Sequence, residues 1–138
     1  MKIKIDRKNK AYHFQGQNED GVTINMDANP EIGGEKKGVR PMEMLLYGLA
    51  GCSAIDMISI LEKSKQDLQE ISVEVDAERQ KDKTPALFTD IKVTFYLSGN
   101  LDETKVKRAL DLTFEKYCSV ALTLNKTAKI TYDYVINN

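Results

Sequence analysis

An α+β fold follows from three features of the sequence. Short segments with an apolar residue at every second position open the chain, and a Pro-free apolar run of helical length stands in the middle. Two strongly alternating strands, a second helix and a last strand then follow. The expected order is βββ-α-ββ-α-β, one domain over residues 1–138 with the long helix laid against sheet.

The elements can be justified in turn. Ile3–Ile5, Tyr12–Phe14 and Val22–Met26 predict a β-meander, and the breaks KNK and QNEDG carry the Asn, Asp and Gly that turns favour. The loop NPEIGGEKKGVRPM ends at Pro41, which suits a first helical turn because its missing N–H is not needed there. From Met42 to about Lys63 the run is apolar on nearly every side, which predicts a helix buried on more than one face. Gly48 and Gly51 would each weaken it by roughly 1 kcal/mol relative to Ala. Close approach of another backbone would account for them.

ISVEVDAER and FTDIKVTFYL, joined by KDKTPA, predict a hairpin: Ile71, Val73, Val75 and Ala77 form one apolar face, and Ile91, Val93, Phe95 and Leu97 the other. A second helix is expected from near Asn100, with Glu103 three residues on as in a capping box. Its apolar stripe is Val106, Ala109, Leu110, Phe114 and Tyr117, with Cys118 at its end. A strand from about Lys129 to Val135 closes the pattern.

Composition excludes several classes of function. Lys plus Arg (20) nearly balances Asp plus Glu (21), so no basic face for nucleic acid or anionic membrane is expected. Residues 41–61 have the length of a membrane span, but Glu43 and Asp56 lie inside it, which favours a buried helix. MKIKIDRKNK lacks the apolar core of a signal peptide, so the expected location is the cytosol, where two cysteines are expected to be reduced.

One His and two cysteines without a CxxC do not make a zinc site, and no cofactor motif is present. His13 falls in a predicted strand, as surface histidines commonly do. GGEKKG lacks the ending of a phosphate-binding loop. The thiols remain. Taken alone, Cys52 in LLYGLAGCSAIDMISIL reads as a small buried hydrophobe, and Cys118 reads the same way. Asp56, one turn after Cys52, would raise a neighbouring thiol pKa. Both thiols nevertheless sit on helices that should share a core, and a meeting pair is what a thiol–disulfide cycle requires.

RPMEMLLYGLAGC together with EKYCSVAL resembles the OsmC/Ohr family of thiol-dependent peroxidases, and more narrowly its YhfA-like branch, over essentially the whole chain. The resemblance implies an intertwined homodimer with two long central helices and sites between chains. It implies a peroxidatic Cys52, a resolving Cys118, and a Glu43 that holds an arginine against the reactive sulfur. Organic hydroperoxides would be the substrates, and a lipoylated protein or another dithiol the reductant.

Glu43 and Cys52 are nine residues apart, roughly 900° around a helix and about 13 Å along it. They would therefore share a site only if Glu43 of one protomer faced Cys52 of its partner. Met42, Leu46 and Leu49 would offer lipid-like peroxides an apolar wall. The chain departs from the peroxidase pattern in the meander, where Lys8 and Lys10 stand near the arginine position, and in the lack of Pro after Cys118. Arg7, Arg40 and Arg79 are the candidate arginines. The alternative expectation keeps the fold without efficient turnover: a binding or redox-sensing protein for a small apolar or thiol metabolite.

Overall fold

The computed structural model describes residues 1–137. It divides into two compact units, Met1–Tyr47 and the chain from Gly48 onward. The first holds strands β1 (Ile3–Arg7), β2 (Phe14–Asn18) and β3 (Thr23–Met26), paired antiparallel in that order. The meander is as expected, but the middle strand starts where its predicted segment ended. Residues 9–13 form a bend instead, held by Asn9 Oδ1, which accepts from the N–H groups of Ala11 and His13. His13 thus lies outside any strand, with Nε2 2.9 Å from Asn25 Oδ1.

The loop that follows is organised by a buried carboxylate. Asp27 is 1% exposed and accepts from the backbone N–H groups of Ala28, Glu35 and Lys37. Burial pushes its carboxyl up, but the three N–H donors and the nearby His13 outweigh that and hold it below the usual carboxylate range. Two N–H groups of GGEKKG, those of Glu35 and Lys37, are thus turned toward the chain's own aspartate, while those of Gly33 and Gly34 donate to the carbonyls of Pro30 and Asn29.

Helix α1 (Pro41–Lys63) begins in the first unit and continues in the second. Its fully buried residues are Leu49, Ser53, Met57 and Leu61, spaced one per turn along a single stripe. The expectation of burial on several sides is corrected: Leu45, Tyr47 and Ile55 are exposed, and a Cβ added at Gly48 or Gly51 would meet no atom within 4 Å. Among the described residues, no other backbone approaches the Cβ position of either glycine.

In the second unit β4 (Asp67–Arg79) runs antiparallel to β5 (Phe88–Asn100), and β6 (Lys129–Asn137) lies parallel to β5. A parallel neighbour needs a crossover. It is made by α2 (Glu103–Leu112), a π-turn over Thr113–Tyr117 and a short helix α3 (Ser119–Leu124). Central strand β5 supplies more of the core than any other element, with Phe88, Ile91, Val93, Phe95 and Leu97. Both hairpin strands run past their alternating stretches. Gly99, at φ 131°, sits so close to Asp67 that a Cβ would lie 2.0 Å from its carbonyl oxygen, so a side chain there would part the strands.

The second helix starts later than expected. Its N-cap is Asp102, whose side chain accepts from Lys105 N–H, while Glu103 takes the Tyr134 hydroxyl instead of closing a capping box. Its stripe holds through Val106, Ala109, Leu110 and Phe114, all buried, but Tyr117 is half exposed because the π-turn re-phases the chain. Phe114 is stacked on Tyr132 at 4.5 Å and meets Phe95 edge-on at 6.0 Å, which ties the turn to the sheet.

Candidate active site

The site grows out of two interruptions of regular helix. On α1, Cys52 and Asp56 are four residues apart and share a face. After α2 the π-turn inserts an extra residue, and Cys118 N–H donates to Thr113 O at 2.7 Å. The chain then breaks into extended backbone at Cys118, which caps α3. Cys118 is thereby turned inward, fully buried, with Sγ accepting from Ala121 N–H at 3.4 Å.

The outcome is a cluster of three. The sulfurs of Cys52 and Cys118 and a carboxylate oxygen of Asp56 all lie within 4.8 Å of one another. Both thiols are free. Burial, above all, pushes the Cys118 thiol up to about 12. The Ala121 N–H opposes this, while the neighbouring Cys52 and Asp56 add to it. Burial also raises the Asp56 carboxyl above the usual range, and its Oδ2 is buried with no hydrogen-bond partner. An isolated carboxylate oxygen of this kind is costly, and such atoms call for an explanation.

Asp56 also borders a cleft of about 590 Å³ between α1 and α2. One wall is Asp56, Ser59, Ile60 and Lys63; the other is Lys105, Arg108, Ala109 and Leu112. Both sets follow the spacing i, i+3, i+4, i+7 of one helical face. Lys63, Lys105 and Arg108 make no salt bridge among the described residues, so the cleft is basic.

The residues singled out from sequence divide accordingly. Cys52 and Cys118 are brought together. Glu43 lies outside the thiol cluster, in the first turn of α1, where its Oε1 accepts from Arg40 N–H at 2.9 Å and caps the helix start. Arg7 is tied to the carbonyls of Lys10 and Ala11. Arg79 gives Nε and Nη2 to Ala86 O at 3.0 and 2.9 Å, which fastens the β4–β5 connection. The arginine that lines the cleft beside Asp56 is Arg108, which sequence reasoning missed. Its signal was the pair Lys105 and Arg108, three residues apart on α2, beside the apolar stripe.

The cluster holds what redox chemistry requires, two free thiols within 4.8 Å of each other.

Comparison with known proteins places these features. Protein YhfA of Escherichia coli is 44% identical over 124 residues, 89% of each chain. An OsmC-like protein from Mycoplasma pneumoniae shares the fold, with a TM-score of 0.84 at 20% identity over 99% of this chain and 96% of that one. An organic hydroperoxide resistance protein from Elizabethkingia anophelis superposes with a TM-score of 0.73 at 11% identity over 99% of this chain and 97% of that one. The profile of the OsmC-like protein family matches residues 33–133, and the chain belongs to that family.

Proposed function

We propose that the protein is a thiol-dependent peroxidase for organic, lipid-like hydroperoxides, working in the cytosol as a homodimer. The observation that carries this reading is the pair of free thiols within 4.8 Å of each other, one partly buried and one fully buried. Cys52 attacks the outer oxygen of the hydroperoxide, the O–O bond breaks, and the alcohol leaves with a proton. The Cys52 sulfenic acid then meets Cys118, the S–S bond forms, and the oxygen leaves as water. An external dithiol, such as a lipoylated protein, returns two electrons and two protons. The name of the Elizabethkingia relative, organic hydroperoxide resistance, agrees with this chemistry.

The homodimer is supported by apolar surface that one chain leaves bare. Tyr47 and Ile55 are 61% and 68% exposed, beside two glycines that touch nothing, and Ile3, Ile5 and Ile24 of the meander are exposed as well. In such a dimer Glu43 keeps its proposed role as the carboxylate that orients an arginine, through the oxygen not engaged with Arg40.

The test is the intact mass of the reduced protein after one equivalent of organic hydroperoxide. Loss of two hydrogens, absent in Cys118→Ser, is expected. Cys52→Ser abolishes turnover, and a chelator leaves it unchanged. Equal turnover in wild type and Cys52→Ser would end the proposal. A second reading has its own observation, the basic cleft of Lys63, Lys105 and Arg108, which suits a small anionic metabolite bound without peroxide consumption. A thermal shift by such anions with both thiols inert to peroxide would favour it.

A further inference from the structure

A buried resolving thiol poses a problem that the peroxidase reading leaves open. To close the disulfide, Cys118 must lose a proton, yet it is fully buried, and its one backbone hydrogen bond leaves it far from thiolate at neutral pH. A carboxylate oxygen of Asp56 lies within 4.8 Å of both sulfurs, and Asp56 Oδ2 is buried without a partner. The same residue borders the cleft, so it touches the dithiol on one side and a route to solvent on the other. A structural role would require a partner for that oxygen; none is recorded among the described residues.

We propose that Asp56 carries the proton that Cys118 gives up when it closes the disulfide onto Cys52, and delivers it to the oxygen leaving Cys52. The inference rests on the thiol-peroxidase reading. In the step, the Cys118 S–H bond breaks as its electron pair forms the S–S bond. The Cys52 S–O bond breaks, and the hydroxide that leaves takes the proton through Asp56 and departs as water. Asp56 ends as it began, and no further oxidant is needed beyond the hydroperoxide that made the sulfenic acid. A side-chain rotation or one bridging water spans the remaining gap.

The charged and titratable groups around Asp56 fit this work. Cys52 is on its own helix, and Cys118 begins α3. Lys63 of α1, Lys105 and Arg108 of α2, and Tyr117 of the π-turn line the cleft with it. None of the cations forms a salt bridge with Asp56, so the carboxyl is not locked as an anion by an ion pair. Burial raises its carboxyl above the ordinary carboxylate range, which makes it a stronger proton acceptor than a solvated aspartate.

The experiment is a single turnover with one equivalent of tert-butyl hydroperoxide, quenched at intervals and read by intact mass, with dimedone to trap sulfenic acid. Wild type is expected to close the disulfide at a rate that rises as Asp56 ionises and is then flat at higher pH. In Asp56→Asn, sulfenic acid still forms but accumulates as its dimedone adduct. Closure slows on the order of 100-fold and gains about tenfold per pH unit as hydroxide replaces the carboxylate. Asp56→Glu restores most of the rate.

The same closure rate and pH profile in Asp56→Asn overturns the assignment while leaving the peroxidase reading intact. Absence of both sulfenic acid and disulfide in wild type overturns the peroxidase reading and this one with it. If Asp56→Asn does not fold, the wild-type profile decides. A rate that reaches a plateau supports the carrier, and a rate that climbs with hydroxide throughout refutes it.

Discussion

Asp56 illustrates how a functional residue can be recognised by its cost. A carboxyl raised above its unfolded value of 3.8 makes the folded state bind more protons than the unfolded one, so stability falls as pH rises from that value through the elevated range. Asp56→Asn is therefore expected to stabilise the fold at pH 7 by on the order of 1 kcal/mol, with the gain disappearing in acid. Thermal melts at two pH values check it, and an equal gain at both would mean that charge is not the cause. Cys118 has the same sign at the alkaline end: the stability carried by its neutral thiol is lost as pH rises from 9.0 toward about 12.

At the scale of elements, the π-turn and α1 matter most. Glu115 is exposed and sits inside the turn that re-phases the chain before Cys118. Deleting it should restore an α-helical period and rotate Cys118 by about 100°. Far-UV circular dichroism should change little, while disulfide formation under mild oxidant is lost. A disulfide of undiminished yield would show that the turn does not aim the thiol.

On α1 the glycines report on what covers the helix. A Cβ at Gly48 or Gly51 meets nothing within this chain. In an isolated monomer, Gly48→Ala should therefore stabilise by about 0.5–1 kcal/mol. If that face is a seam between copies, the same change weakens association, and melts at two protein concentrations separate the cases.

For the whole molecule, the exposed apolar residues argue for assembly. Ile55 is 68% exposed on a helix whose opposite stripe is fully buried. A charge placed there costs a monomer almost nothing, since surface substitutions usually stay within about 0.5 kcal/mol. Ile55→Glu is expected to shift the light-scattering mass from two chains to one while circular dichroism is unchanged. A wild-type mass of one chain would remove the dimer from the proposal. The expected value of the change lies in its asymmetry: it tests the interface without touching the thiols.

The limits of reading a sequence lie in what periodicity measures. Alternation in ISVEVDAER and FTDIKVTFYL, and the unbroken apolar run after Pro41, determined strands and helix, because side-chain direction repeats every two or 3.6 residues wherever a face is buried. The same logic failed at residues 9–13, where Asn9 captures backbone N–H groups, and at Asn100, where Glu103 is taken by a tyrosine of another strand. It also overstated the burial of α1, since an apolar run does not say whether its cover lies within the chain.

The thiols were visible as residues, and their pairing was implied only by resemblance to a family. That Cys52, Cys118 and Asp56 converge, and that Arg108 lines the cleft beside them, was decided by tertiary structure alone. Cys118 faces inward because one extra residue in a π-turn changes its phase, and Asp56 is strained because both sulfurs and its own burial surround it. Such effects arise from groups distant in sequence, whose separation in space no local pattern encodes.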